Sequence, residues 1–360
     1  MNAAFGLVLL FAAHRAFSVE GPLRPIIIQA EKDFAAGKYD KAAQSFSRVI
    51  ESARSDPNAR TELGNALNDL GEIYREWHRL TDAQVLLEEA SSISEQTGNN
   101  KLQIAVLNNL GLVLQVRGRF AEAEKIFQRS LLQTANEFGR ESLTYAQILD
   151  NIGQLRTDEG KLNQAEAQFR EALRIRRKRA DPNGLEIADS LNSIAGLYIL
   201  RGHYAKAEPL CRQALAAMER SLGPHHLRTG AILANLGILY EQQHRFDEAE
   251  PFLRRALEIR QAALPAEHPA IARMVLYVGD TLRGAGKYEE AASTLRQAVA
   301  MSRIAFPPGD ARIAEALEAY ALVLEKLNKS TEAAPIQDEA LRIRAYLQHK
   351  SPSSLPHSSK

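Results

Sequence analysis

The chain has 360 residues, of which 45% are hydrophobic and 25% are charged, so it is long and apolar enough to bury a sizeable core. Its 45 lysine and arginine residues nearly balance its 44 aspartate and glutamate residues, and this balance excludes a strongly basic nucleic-acid-binding protein. The single cysteine, Cys211, excludes an intrachain disulfide framework and a metal site built from cysteines.

A short apolar run over residues 3–13 lies near the start of the chain. It is too short for a membrane-spanning helix, which needs about 20 residues, and it fits the apolar core of a secretory signal peptide. Ala16, Phe17 and Ser18 form an acceptable cleavage site, so we expect residues 1–18 to be a signal peptide and the protein to be periplasmic or secreted. No lysine or arginine precedes the run. The alternatives are therefore an N-terminal helix of a cytoplasmic protein or a misassigned start codon.

An internal repeat of 42 residues dominates the sequence that follows. An alanine marks the same place in six successive units, and a small residue lies twelve positions before each alanine. The alanines are Ala123, Ala165, Ala207, Ala249, Ala291 and Ala333, and the small residues are Gly111, Gly153, Ala195, Gly237, Gly279 and Ala321. Two units with slightly different spacing precede these six, so about eight units fill residues 23–348.

Each unit predicts a pair of antiparallel helices. In the third unit, Leu107, Leu110 and Leu114 have the spacing of one helix face. Gly118 then breaks the helix, and a second apolar face follows from Phe120. The small residues allow the two helices to approach closely where a larger side chain would clash. No period-two strand pattern is present, so the sequence predicts an all-α fold.

The repeat resembles the tetratricopeptide repeat. The spacing and the strings LNNLG, AEPLCRQAL and SLGPHHL resemble the kinesin light chain subclass, over about residues 60–348. This resemblance implies a right-handed α-solenoid of about eight antiparallel hairpins. The first helices would line a concave surface that suits a peptide or protein partner. No sustained heptads precede the first repeat, so a motor-linked role is not implied.

The resemblance also indicates which side chains would contact a partner. In the family, an asparagine two residues before the small residue frequently contacts a peptide backbone, because an amide offers a donor and an acceptor together. The candidate peptide-binding residues, including the polar residue before each such position, are Asn68, Asn108, Asn109, Asp150, Asn151, Asn192 and Asn235. The alternative is that these side chains bond neighbouring helices within the solenoid. Further candidates for the concave surface are Glu72, Arg75, Glu76, Gln154, Asp158, Glu241, Arg273, Asp280, Arg283, Glu315, Glu318 and Glu325.

The sequence lacks a phosphate-binding loop, a nucleophile elbow and a His-Glu-x-x-His motif. Cys211 lies on an apolar helix face, which favours a buried, inert thiol over a nucleophile. His226 and His268 share one repeat position in loops, and this repetition favours a loop-structuring role over a metal site. We therefore predict no enzymatic activity, no metal ion and no cofactor.

These observations predict a non-catalytic scaffold that binds a peptide or protein in its concave groove. Nucleic acid is not expected as a partner, and no transmembrane segment is expected in the mature chain. The alternative is a structural or assembly subunit that self-associates or docks through its edges or convex face.

Gln337 replaces an apolar repeat position, which predicts a polar closing cap. The Ser/Pro-rich residues 349–360 predict a disordered tail.

Overall fold

The computed structural model describes residues 23–179, 181 and 184–350, so the predicted signal peptide, residues 1–18, lies outside the described residues. Within these ranges the chain forms sixteen α-helices and a short 3₁₀ turn at Pro57–Ala59, without a β-strand. The helices are α1 (Arg24–Ala35), α2 (Tyr39–Arg54), α3 (Arg60–Glu76), α4 (Leu80–Thr97), α5 (Asn100–Val116), α6 (Phe120–Phe138), α7 (Leu143–Asp158), α8 (Leu162–Arg179), α9 (Leu185–Leu200), α10 (Tyr204–Leu222), α11 (Leu227–Gln242), α12 (Phe246–Ala263), α13 (Pro269–Gly284), α14 (Tyr288–Ala305), α15 (Ala311–Lys326) and α16 (Ser330–Lys350). The prediction of an all-α solenoid of helical hairpins is confirmed. Helix α16 extends two residues into the predicted tail, and the rest of that tail lies outside the described residues.

The turn inside each hairpin needs one residue with a left-handed backbone. Glycine occupies this place in most hairpins, because it adopts a positive φ without a steric penalty. The predicted turn residues all have a positive φ, at Gly118, Gly160, Gly202, His244, Gly286 and Asn328. The periodicity therefore located these turns correctly.

The two helices of a hairpin meet at the small residue of the first helix. A Cβ atom on Gly153 would lie 2.6 Å from the ring of Phe169 in α8, and one on Gly111 would lie 2.5 Å from the ring of Phe127 in α6. Such distances are too short for any side chain, so a large residue on the second helix requires glycine on the first. In the fifth hairpin the small residue is Ala195, and the repeat position that corresponds to Phe169 holds the smaller Cys211.

The chain divides into two compact units, an N-terminal unit up to Leu239 and a C-terminal unit from Tyr240. In the N-terminal unit each hairpin packs on the next, and the first helices α3, α5, α7 and α9 contact one another in sequence. The C-terminal unit repeats this arrangement with α13 and α15.

The N-terminal unit also makes a contact between its first hairpin and the loop before α11. The ring of His226 donates a hydrogen bond to the carbonyl of Ala35, and a Cβ atom on Gly37 would lie 3.7 Å from that ring. Leu227 packs against the core of the first hairpins. The residues just before α11 and at its start thus contact the first hairpins of the same unit, and the inner face of this unit is enclosed.

We predict that Gly153→Ala and Phe169→Cys compensate each other, because together they reproduce the Ala195 and Cys211 combination. Each single change should lower the free energy of unfolding, the first by overpacking and the second by leaving a cavity. The double variant should lose about 1–3 kcal/mol less than the sum of the two single losses. Denaturant unfolding of all four proteins measures this coupling. Losses that simply add would contradict the size match.

Candidate functional site

The seven predicted peptide-binding residues are all buried in the N-terminal unit. Their exposed fractions run from 0% for Asn108 to 4% for Asn235. The first helices that carry them are buried almost all round: α5, for example, is buried from Leu102 to Leu114 except at Leu110. The open groove that the repeat pattern predicts is therefore not present on the inner face of this unit.

These asparagines form hydrogen-bonded pairs between neighbouring first helices, here called the asparagine ladder. Asn109 in α5 donates through Nδ2 to Oδ1 of Asn68 in α3 at 3.1 Å. Asn151 donates to Asn108 at 2.6 Å, and Asn235 donates to Asn192 at 2.8 Å. In each pair the donor lies two residues before the small residue and the acceptor three residues before it, one hairpin earlier.

The ladder is interrupted where Asp150 replaces the acceptor asparagine. Asp150 pairs with the buried Arg176, which also donates to Ser190 Oγ at 2.6 Å. Burial raises the pKa of Asp150 to about 6, although Arg176 opposes this shift. A second pair, the partly buried Arg228 with the buried Asp189, follows in the next hairpin. Both arginines are thus held by carboxylates of the same inner wall.

The candidates on α3 are also enclosed. Arg75 lies 2.6 Å from Glu76 and 3.9 Å from Glu72, and all three side chains are buried. Burial raises the pKa of Glu76. Burial also raises the pKa of Tyr39, and the neighbouring Glu76 and Glu72 raise it further.

The buried pairs of the asparagine ladder favour the alternative in which the asparagines bond neighbouring helices within the solenoid. Their contact with a peptide stays a prediction.

The C-terminal unit presents a different inner face. The positions two residues before its small residues hold Tyr277 and Ala319, so the ladder has no counterpart here. The inner face of the C-terminal unit consists of Glu241, Arg273, Tyr277, Asp280, Glu315 and Glu318, and each of these residues is partly exposed. Tyr277 was not among the sequence candidates. The 42-residue period could have identified Tyr277, because this residue lies 42 positions after Asn235.

Residues of this inner face influence one another electrostatically. Burial raises the pKa of Tyr277, and the carboxylates of Glu241 and Glu315 raise it further, while Arg273 lowers it. Burial likewise raises the pKa of Asp280, which accepts a hydrogen bond from Arg283 Nε at 3.0 Å. Behind the face, burial lowers the pKa of Arg260 to about 10, and the positive charge of Arg273 contributes to this shift. The face therefore offers acidic, basic and phenolic groups side by side.

The remaining candidates from the sequence, two histidines and one cysteine, have structural roles. Nδ1 of His226 accepts the backbone N–H of Arg228 at 3.2 Å, and Nδ1 of His268 accepts that of Ala270 at 3.0 Å. The predicted loop-structuring role of these histidines is confirmed. Cys211 is buried, and burial raises the pKa of its thiol to about 12. Within residues 23–179, 181 and 184–350, no group of three or more potential ligands is placed to hold a metal ion.

The tetratricopeptide repeat family models match most of the chain. One model matches residues 102–178, 186–262 and 240–304, and a second matches residues 29–73 and 279–347. The chain belongs to the tetratricopeptide repeat family. Such repeats are typically non-catalytic scaffolds for protein–protein interaction. Over the described part of this tetratricopeptide repeat chain, no helix is long and apolar enough to cross a membrane.

Several solved structures are similar to this chain. The Cut9–Hcn1 hetero-tetramer of APC/C is 14% identical with a TM-score of 0.61, and the match covers 88% of this chain and 52% of that one. A Podosopora anserina structure, described as kinesin light chain nearly identical TPR-like repeats, is 19% identical with a TM-score of 0.49, covering 58% and 99%. BtubC (BKLC) from P. vanneervenii is 19% identical with a TM-score of 0.39, covering 89% and 97%. No curated protein shows significant sequence similarity to this chain.

We predict that Asn151→Ala lowers the free energy of unfolding by about 1–3 kcal/mol, because it leaves buried Asn108 Oδ1 without its donor. The control is Asn136→Ala, which removes the same side chain from an exposed place on α6 and should change stability by less than about 0.5 kcal/mol. Thermal and denaturant unfolding measure both variants. Equal stability of the two variants would contradict a structural role for the ladder.

Proposed function

We propose that this tetratricopeptide repeat protein is a non-catalytic scaffold that binds a peptide segment of a protein partner on the inner face of its C-terminal unit. One contrast carries this proposal. The polar side chains on the inner wall of the N-terminal unit are buried in internal pairs. Those on the inner wall of the C-terminal unit stay partly exposed even where they are paired, as Asp280 is with Arg283 and Glu318 is with Arg344. A surface that recognises a partner needs polar groups that the partner can reach.

The register of α13 and α15 supports an extended ligand. Arg273, Tyr277 and Asp280 follow one side of α13, and Glu315 and Glu318 follow the matching side of α15. A peptide that crosses both helices would contact acidic groups, a guanidinium and a phenol in turn. Arginine and tyrosine are enriched among residues that dominate binding energy. This composition favours a ligand with both charge signs over a uniformly acidic one.

We predict that the double variant Arg273→Ala with Glu315→Ala loses its partner, because it removes two groups of the inner face at constant net charge. The matched control, Arg296→Ala with Glu289→Ala, removes the same residue types from exposed places on α14. In affinity capture from a native extract, the partner should fall at least about tenfold with the first variant only. Both variants should keep the parental melting temperature. Undiminished capture by the first variant would contradict this assignment.

A specific observation favours the alternative of self-association through an edge of the solenoid. Leu341 in α16 is 58% exposed, whereas Val299, its counterpart 42 residues earlier, is 6% exposed. The last described hairpin thus presents an apolar residue that a further hairpin or a second copy of the chain would cover. Light scattering over a range of concentrations separates the two functions, because only self-association raises the apparent mass.

A further inference from the structure

An arginine recurs at one repeat position on the second helix of three hairpins. The 42-residue period places Arg176 in α8, Arg260 in α12 and Arg344 in α16 at the same position. Neighbouring members of this series are two repeats apart. The chain therefore shows the same guanidinium in three settings, and the three can be compared directly.

Two of these arginines are paired with a carboxylate on the first helix of their own hairpin. Arg176 pairs with Asp150 in α7, which lies 26 residues before it. Arg344 donates through Nε and Nη2 to the two carboxylate oxygens of Glu318 in α15, each at 2.9 Å, and Glu318 also lies 26 residues before its arginine. Such a two-pronged pair is the geometry in which a guanidinium binds a carboxylate most strongly.

The third arginine has no such partner. The position 26 residues before Arg260 holds Ala234, which has no charge to offer. Nη1 of Arg260 donates a hydrogen bond to the backbone carbonyl of Ala270 at 3.2 Å. Over the ranges that the structure describes, no carboxylate forms an ion pair with Arg260. This guanidinium therefore has a neutral acceptor and no counter-charge.

The other hairpins in this register show how unusual that is. Neither of the two positions is charged in them. The residues at the arginine position are Thr134, Met218 and Ser302, and those 26 residues earlier are Asn108, Asn192 and Leu276. From α5 to α16, a cation on the second helix thus accompanies a carboxylate on the first in every hairpin except the one that contains Arg260. A poorly solvated charge without a counter-charge destabilises a fold, so this exception needs an explanation.

The surroundings of Arg260 favour a negative charge from outside the chain. Burial lowers the pKa of Arg260 and the positive charge of Arg273 lowers it further, while only the phenol of Tyr277 opposes them. No carboxylate of the described chain contributes to this pKa. Arg260 nevertheless stays partly exposed, so a ligand on the inner face can reach it. Arg273 and Tyr277 already belong to that face, and a phenol can donate a hydrogen bond to an anion.

We propose that Arg260 binds a carboxylate of the peptide ligand, to which Arg273 adds a second positive charge and Tyr277 a hydroxyl donor. The ligand then takes the place that Asp150 and Glu318 fill for the other two arginines. This inference rests on the function proposed above. It adds that the peptide has an aspartate, a glutamate or its own C-terminal carboxylate at this point.

A carboxylate fits this place better than a phosphate does. The carboxylates of Glu241 and Glu315 raise the pKa of Tyr277, so negative charge is already present on the same face. Repulsion from these groups grows with the charge of the ligand. A group with one negative charge is therefore favoured over the nearly double charge of a phosphate monoester.

The test titrates the full chain, prepared with isotope-labelled arginine, with two blocked pentapeptides of sequence AKEKA and AKQKA. The spectrum of Arg260→Gln assigns the Nε–Hε NMR signal of Arg260. We expect AKEKA to shift this signal along a saturable curve. AKQKA should bind at least about tenfold more weakly, because it lacks the charge-assisted hydrogen bonds. An Arg260 signal that AKEKA does not shift would overturn the proposal.

Two variants with the same loss of charge separate a site from general attraction. By fluorescence anisotropy of labelled AKEKA, Arg260→Gln should bind about tenfold more weakly than the parent. The control Arg296→Gln, at an exposed place on α14, should bind within about twofold of it, since exposed charges are screened by salt. Equal weakening in both variants would overturn the proposal. The melting temperature of Arg260→Gln should not fall, and a fall would also overturn the proposal by showing that a group of the chain itself pairs with Arg260.

Two further measurements separate this inference from its alternatives. Inorganic phosphate that shifts the Arg260 signal at lower concentration than AKEKA would overturn the proposal, because the site would then serve a free anion or a phosphoryl group. Unchanged AKEKA affinity in Arg260→Gln would overturn this inference alone. Failure of the proposed function has a different signature, which is undiminished partner capture by Arg273→Ala with Glu315→Ala.

Discussion

The close approach of two helices at one small residue determines the architecture of each hairpin. At Gly111 and Gly153 the first helix comes so near the second that an aromatic ring of the second covers the place of a side chain. A single hairpin of this size buries too little apolar surface to persist, and isolated helices of this length are marginal. Each hairpin is therefore stabilised by its neighbours, through the interfaces between successive hairpins.

The polar residues of the first helices differ between the two units. In the N-terminal unit the asparagine ladder gives each of six buried amides a hydrogen-bond partner, and Asp150 and Arg176 pair two buried charges. The ladder stops where Ala234 replaces the acceptor and Tyr277 occupies the donor position of the next repeat. Beyond that point the inner wall keeps partly exposed charged groups, and the binding role that we propose depends on this change.

Local features of the fold could be predicted from the sequence, and contacts between distant repeats could not. The 42-residue period identifies the hairpins, their positive-φ turns and their small residues, because each depends on residues within one unit. The role of Asn109 or Asn151 was left open, since an amide at this place can face a partner or a neighbouring helix. Which of these occurs depends on how tightly successive hairpins wind. The contact of His226 with Ala35 encloses the N-terminal unit, and no repeat on its own encodes that contact.

Native-state hydrogen exchange of the full chain, followed in rising denaturant, tests most directly whether stability is carried between neighbours. The account predicts the highest opening free energies in α5, α7 and α9, which have neighbours on both sides. It predicts lower values in α15 and α16, which end the described stack. Amides of all sixteen helices that open with one common free energy would contradict it, because the chain would then unfold as a single indivisible block.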